Sequence, residues 1–239
     1  MDIDLFALAI TPGIALALGI YLTDRYDREP IHLLVKMFAL GMFSVIPILL
    51  IEKVLTGLNI FTGLLSIAYV AFIVAGFSEE FVKRLIVIKF AYNHEAFNEK
   101  LDGIVYAVFV SLGFATVENV LYVVFRFSHI SVVGIQRAIF SVPAHMLFAI
   151  TMGYYLSLAK YSDDDNKSKH YLRLSLLIPI ILHGIYNYIL MAQNEKLMMF
   201  FIPFVIFLWS YNLRKLNVYY KESKMFHEKG LQDDDYTDI

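Results

Sequence analysis

The sequence contains no cysteine and a single tryptophan, and only 18% of its 239 residues are charged. Without cysteine there are no disulfides, no cysteine-held iron–sulfur clusters and no thiol catalysis. The shortage of charge excludes more. A soluble domain carries about 25% charged and about 45–50% apolar residues, whereas this chain is 59% hydrophobic with a mean hydropathy of +0.62. The net charge of −2 comes with no dense basic patch, so nucleic acid is not an expected partner. What remains is an all-α polytopic membrane protein, a bundle of about seven transmembrane helices in contact with the lipid bilayer.

Seven apolar segments can be drawn, at about 5–22, 31–51, 64–90, 103–125, 138–159, 171–191 and 197–213. Each is close to the ~20 residues that cross ~30 Å of hydrocarbon as helix. The first has a small-x-small stretch, Ala15-Leu16-Ala17, but follows the acidic Met1-Asp2-Ile3-Asp4 instead of a basic leader, so it reads as a retained span. Loops are short, and Ala192 to Lys196 makes a tight turn between the last two spans. Lys and Arg collect at Arg25, Arg28, Lys100, Lys160, Lys167, Lys169, Arg173 and in the tail from Arg214 to Lys229. The other side has Lys53, Arg126, Arg137 and Lys196. This bias places the N-terminus outside and the C-terminus in the cytoplasm. Residues 1–215 then form one transmembrane domain and 216–239 a charged cytoplasmic tail. Its end, Asp233-Asp234-Asp235-Tyr236-Thr237-Asp238, reads as a solvated, disordered terminus.

Ionisable residues inside spans are costly and mark function. The third span carries Glu79-Glu80 followed by Lys83-Arg84. On a helix the i,i+4 spacing pairs Glu79 with Lys83 and Glu80 with Arg84. The fourth span carries Glu118-Asn119 with no base one turn away, so Glu118 must find a partner on another helix, a metal or a proton. Gly113 and Ala115 beside it permit close helix approach. The fifth span carries His145, and the sixth carries His183 and Asn187 on one face.

Counted from the outer side, Glu118, His145 and His183 each lie about 10 Å deep at 1.5 Å per residue. Glu79 and Glu80 come out deeper unless their helix enters the membrane later. One shared layer of carboxylates and imidazoles supplies what hydrolysis needs: a base for water, and groups to hold that water and an oxyanion. The same set could bind a divalent metal, with Glu118, His145 and His183 as candidate ligands. Other hydrolase signatures are missing. There is no G-x-S-x-G, and His94-Glu95-Ala96-Phe97-Asn98 ends in Asn where a zinc-protease helix has His. No aspartate lies mid-span to build an aspartic pair.

The pattern Glu79-Glu80-x-x-x-Arg84, Phe114-x-x-x-Glu118 and His183-x-x-x-Asn187 resembles the superfamily of CAAX-prenyl endopeptidases and bacteriocin-processing enzymes. Within it the chain is most similar to the PrsW family of intramembrane proteases. That likeness extends over about residues 10–190 and includes Asp24-Arg25-Tyr26 with Glu29-Pro30, Gly113-Phe114-Ala115, Glu118-Asn119, His145 and His183. Where the wider superfamily has F-x-x-x-H this chain has Glu118, and a histidine comes one helix later at His145. The resemblance implies an intramembrane protease of a bacterial cell membrane, of glutamic or metal-dependent type, acting on a membrane-anchored protein. It also implies first-site cleavage of an anti-sigma factor in a stress response. By the same resemblance Glu79 or Glu80 is the general base, His145 and His183 position water or bind metal, and Asn187 holds the oxyanion. Glu118 is a second acid or ligand, Lys83 and Arg84 tune the glutamates, and Asn119 supports them. The cofactor it implies is a divalent metal such as zinc, or none. The loop at 24–30 has no assigned role beyond supporting the bundle.

Two other functions draw on the same residues. A proton-coupled transporter uses buried Glu and His as a relay, but it favours internal repeats, and none is found. A haem protein with His145 and His183 as axial ligands leaves Glu79, Glu80 and Glu118 without a task.

Overall fold

The computed structural model describes residues 3–127 and 131–237. Met1, Asp2 and Asp238, read above as parts of charged termini, lie outside them. Among the described residues there are seven membrane-length helices and no strand. They are α1 (Ile3–Thr23), α2 (Ile31–Gly57), α3 (Gly63–Phe90), α4 (Lys100–Arg126), α5 (Val132–Lys160), α6 (Asp165–Met191) and α7 (Phe201–Thr237). A one-turn helix, Glu195–Met198, precedes α7.

The helices outrun the apolar segments. Helix α2 continues six residues past the expected end at 51, and α7 runs through Thr237, so the last acidic stretch that reads as disordered is helical up to that point. Hydropathy reports where hydrocarbon ends. Backbone hydrogen bonding continues beyond it wherever the sequence is rich in helix formers such as Lys, Glu and Leu. Short polar caps close other ends. Asp164 accepts the backbone N–H groups of Asn166 and Lys167 at the start of α6, and Asn194 does the same for Lys196 and Leu197 after a left-handed Gln193.

Helix α4 is the axis of the bundle, buried on every side from Leu101 to Thr116. Helices α1, α2, α5 and α7 pack around it, and α6 closes the far side against α3 and α5. Two glycine crossings set this packing. Gly41 of α2 lies against the Val110 carbonyl of α4, with Gly113 against Phe38 of α2; Gly103 of α4 meets Gly153 of α5. A methyl group at any of the four would collide with backbone, so small residues set the interhelical distance. Large apolar side chains on the outside, among them Leu18, Phe43, Ile46 and Leu50, face where lipid would lie.

Candidate active site

Three helices bear π-helical turns: Val70–Phe77 in α3, Leu121–Arg126 in α4 and Arg137–Ser141 in α5. Each abuts a site residue: Glu79 follows the first, Glu118 precedes the second, and Arg137 opens the third. A π turn adds a residue to the helical cycle and shifts the face that follows, and such turns concentrate at functional sites.

Glu79 and Glu80 thus come to the inner face of α3 beside His145 of α5 and His183 of α6. None of the four residues, nor Lys83, is more than 5% exposed. Their ligand atoms also lie together, so the glutamates share one layer with the histidines, which the sequence allowed only if their helix enters the membrane later than drawn.

Lys83 sits at the centre. Its Nζ is 2.9 Å from Glu79 Oε2, 3.0 Å from Glu80 Oε1 and 3.3 Å from His145 Nδ1, and it lies 4.1 Å over the Phe114 ring. The i,i+4 pairing expected of Glu80 with Arg84 is not made. Arg84 turns away to α6, where it donates to Ser175 Oγ at 2.8 Å and to the Leu172 carbonyl at 2.9 Å.

The hydrogen bonds define the imidazole tautomers. His183 Nδ1 is 3.0 Å from Glu80 Oε1, and His145 Nε2 is 3.1 Å from Glu118 Oε2. A carboxylate only accepts, so those nitrogens carry the protons. The second nitrogens, His145 Nδ1 and His183 Nε2, each lie 3.9 Å from a Glu79 oxygen, and His145 Nδ1 also faces the Lys83 ammonium. Phe148 stacks on His183 at 4.9 Å and meets His145 edge-on, fixing both rings. Glu80 Oε2 is buried and has no hydrogen-bond partner among the described residues.

Ligand atoms of Glu79, Glu80, His145 and His183 all fall within 4.8 Å of one another. In their neutral form the two imidazoles with one carboxylate make a donor set that suits zinc, with the other carboxylate left free. The residues present therefore fit a metal, although the Lys83 ammonium lies among the same acceptors. Glu118 stands outside this group. It forms an ion pair with Arg137 at 2.7 Å and orients His145. Arg137 also donates to Asn119 Oδ1 at 2.9 Å, and Asn119 ties the pair to α1 through the Ala9 carbonyl.

A model of the PrsW family of intramembrane metalloproteases matches residues 29–211. The chain belongs to this family. It is 46% identical over 225 residues to Protease PrsW of Clostridioides difficile (strain 630), covering 94% of each chain. With Protease PrsW of Bacillus subtilis (strain 168) it shares 41% identity over 211 residues, 88% of this chain and 93% of that one. For the Geobacillus kaustophilus (strain HTA426) protein of the same name the identity is 40% over 213 residues. No solved structure matches the chain.

Measured against the residues expected of a PrsW protease, the structure unites Glu79, Glu80, Lys83, Glu118, Asn119, His145 and His183 in one network. Asn187, one turn beyond His183, is half-buried, and its side chain makes no hydrogen bond among the described residues. Arg137 is the participant that sequence reading missed, having been counted with the outer loop charges. It stands one residue before the span drawn at 138–159, where a basic residue reads as an ordinary loop charge.

Proposed function

We propose that this PrsW-family protein hydrolyses a peptide bond of a membrane-anchored protein at the centre formed by Glu79, Glu80, His145 and His183. The observation that carries this reading is the convergence of two imidazole nitrogens on Glu79 beside the Glu80 Oε2 that has no partner among the described residues. In it, Glu80 Oε2 takes the proton from water, and the bond from His183 Nδ1 to Glu80 Oε1 orients that carboxylate. Glu79, His145 Nδ1 and His183 Nε2 would hold zinc, with Glu118 on the far nitrogen of His145 in the way that metal-bound histidines are commonly braced. A bound zinc ion supplies Lewis acidity toward the scissile carbonyl and makes its water more acidic. Lys83 holds the two glutamates together and balances their charge. Asn187 faces the same helix side as His183 and would meet the oxyanion once substrate is in place.

The Glu118–Arg137 pair is less enclosed than the centre, with side chains 20% and 15% exposed. Together with the excess of Lys and Arg at the opposite end, this favours substrate access from the outer side, with the C-terminus and the segment 216–239 in the cytoplasm. Such an arrangement suits the first cut of an anti-sigma factor. The test is cleavage of a co-expressed, tagged single-span anti-sigma factor from the same organism, at matched protein levels. Wild type cleaves, while Glu80→Gln and His183→Ala do not. Undiminished cleavage by both variants overturns the assigned centre.

A further inference from the structure

Along α4, Asp102 lies sixteen residues from Glu118, about 24 Å at 1.5 Å per residue. Around Asp102, at the far end of the bundle, gather three more carboxylates: Asp24 and Glu29 from the loop at 24–30, and Glu99 at the start of α4. Asp24 and Asp102 are fully buried and Glu29 nearly so. Among the described residues none of the four forms an ion pair. The nearby lysines are engaged elsewhere: Lys160 donates to the Tyr92 carbonyl over the Phe97 ring, and Lys100 pairs with Glu222.

Part of the cluster is satisfied. Asp24 Oδ2 accepts the Glu29 N–H, Asp102 Oδ2 accepts the N–H groups of Asn98 and Glu99, and Tyr106 donates its hydroxyl to Glu29. Among the described residues the opposite oxygens are not: Asp24 Oδ1, Asp102 Oδ1 and Glu99 Oε1 are buried with no hydrogen-bond partner, and atoms of these three residues lie within 4.8 Å of one another. A neutral group lies beside them: Ser223 of α7, only 4% exposed, has its hydroxyl within reach of the Glu99 carboxylate. An unpaired buried carboxylate is expensive. Burial pushes Asp24 up to about 6, with Arg28 offsetting it only in part, and Glu29 and Glu99 up to about 7.

We propose that Asp24, Glu99 and Asp102 bind a hard divalent cation of the Mg²⁺, Mn²⁺ or Ca²⁺ class, separate from the catalytic centre. The donor set is all oxygen, without histidine, which selects these ions over zinc. Glu29 and the Ser223 hydroxyl complete the surroundings. The ion fastens the loop at 24–30 to the first turn of α4 and to α7, three elements far apart in sequence. It gives the Asp24-Arg25-Tyr26 … Glu29-Pro30 stretch a task, that of tying the ends of α1 and α2 to the bundle axis.

The test is a Mn²⁺ titration of the purified full-length protein in detergent, read by electron paramagnetic resonance, alongside melting temperature with and without Mg²⁺ or Ca²⁺. Wild type and His183→Ala bind Mn²⁺ alike, and added Mg²⁺ or Ca²⁺ displaces it and raises the melting temperature. Asp24→Asn and Asp102→Asn bind about 10–100-fold more weakly, the range seen when metal sites lose a supporting group. Glu99→Gln, at a half-buried position and so better tolerated, weakens binding in the same direction. Absence of saturable binding by folded wild type overturns the proposal. So does binding unchanged in Glu99→Gln, and so does binding lost only in His183→Ala, which would assign the ion to the catalytic centre.

Discussion

Arg137 Nη2 lies 2.7 Å from Glu118 Oε2, and this pair joins α4 to α5 at the rim of the catalytic centre. The same glutamate orients His145, so its charge is shared between a guanidinium and an imidazole. Removing one partner of a buried pair costs about 3–5 kcal/mol; with side chains 15–20% exposed, the cost here falls toward the lower end. Arg137→Gln is expected to lower the melting temperature and reduce cleavage. Glu118→Gln with Arg137→Gln recovers part of the stability but not the cleavage, because His145 loses its brace. A double-mutant cycle in thermal stability and in cleavage measures both; purely additive effects contradict the coupling.

Much of this was legible in the sequence, for a physical reason. Carboxylates and imidazoles in apolar helices are so costly that Glu79, Glu80, Glu118, His145 and His183 declare themselves one by one. What linear spacing did not reveal is the choice of partner. Lys83 stands four residues from Glu79 and three from Glu80 and so reaches both, whereas Arg84 lies at i+4 only from Glu80 and finds Ser175 and Leu172 across the α3–α6 contact. The π turns at Val70–Phe77 and Arg137–Ser141 are likewise invisible to hydropathy.

Lys83 Nζ occupies the space between the acceptors that would take a metal. Lys83→Met removes the cation that holds Glu79 and Glu80 side by side. Cleavage is expected to fall by at least about a hundredfold, the scale of losing one preorganised electrostatic contact. Zinc content of the folded variant, by mass spectrometry, should match or exceed that of wild type, since the competing ammonium is gone. A variant depleted of zinc would instead make Lys83 a support of the metal site.

The glycine crossings predict a graded response. Gly113→Ala drives a methyl into the Phe38 carbonyl of α2, and Gly153→Ala drives one into Gly103 of α4. Overpacking of this kind costs about 1–3 kcal/mol, and both variants should melt lower than wild type. Gly19→Ala in α1 meets nothing within 4 Å and should be neutral or stabilising by about 0.5–1 kcal/mol. Equal melting temperatures for all three would show that the helices slide apart freely.

Metal removal would separate the two proposed cation sites because their donors differ. The Glu79, His145 and His183 donors suit zinc, and the oxygen-only cluster of Asp24, Glu99 and Asp102 suits a hard ion. A chelator with nitrogen donors, such as 1,10-phenanthroline, binds zinc strongly and Mg²⁺ or Ca²⁺ weakly. It is expected to stop cleavage with little change in melting temperature in Mg²⁺ buffer, and equimolar zinc should restore cleavage while added Mg²⁺ does not. EDTA strips both ions and should lower the melting temperature as well. Cleavage that survives phenanthroline and EDTA alike assigns the chemistry to the glutamates without metal, with Lys83 as the permanent cation of the centre.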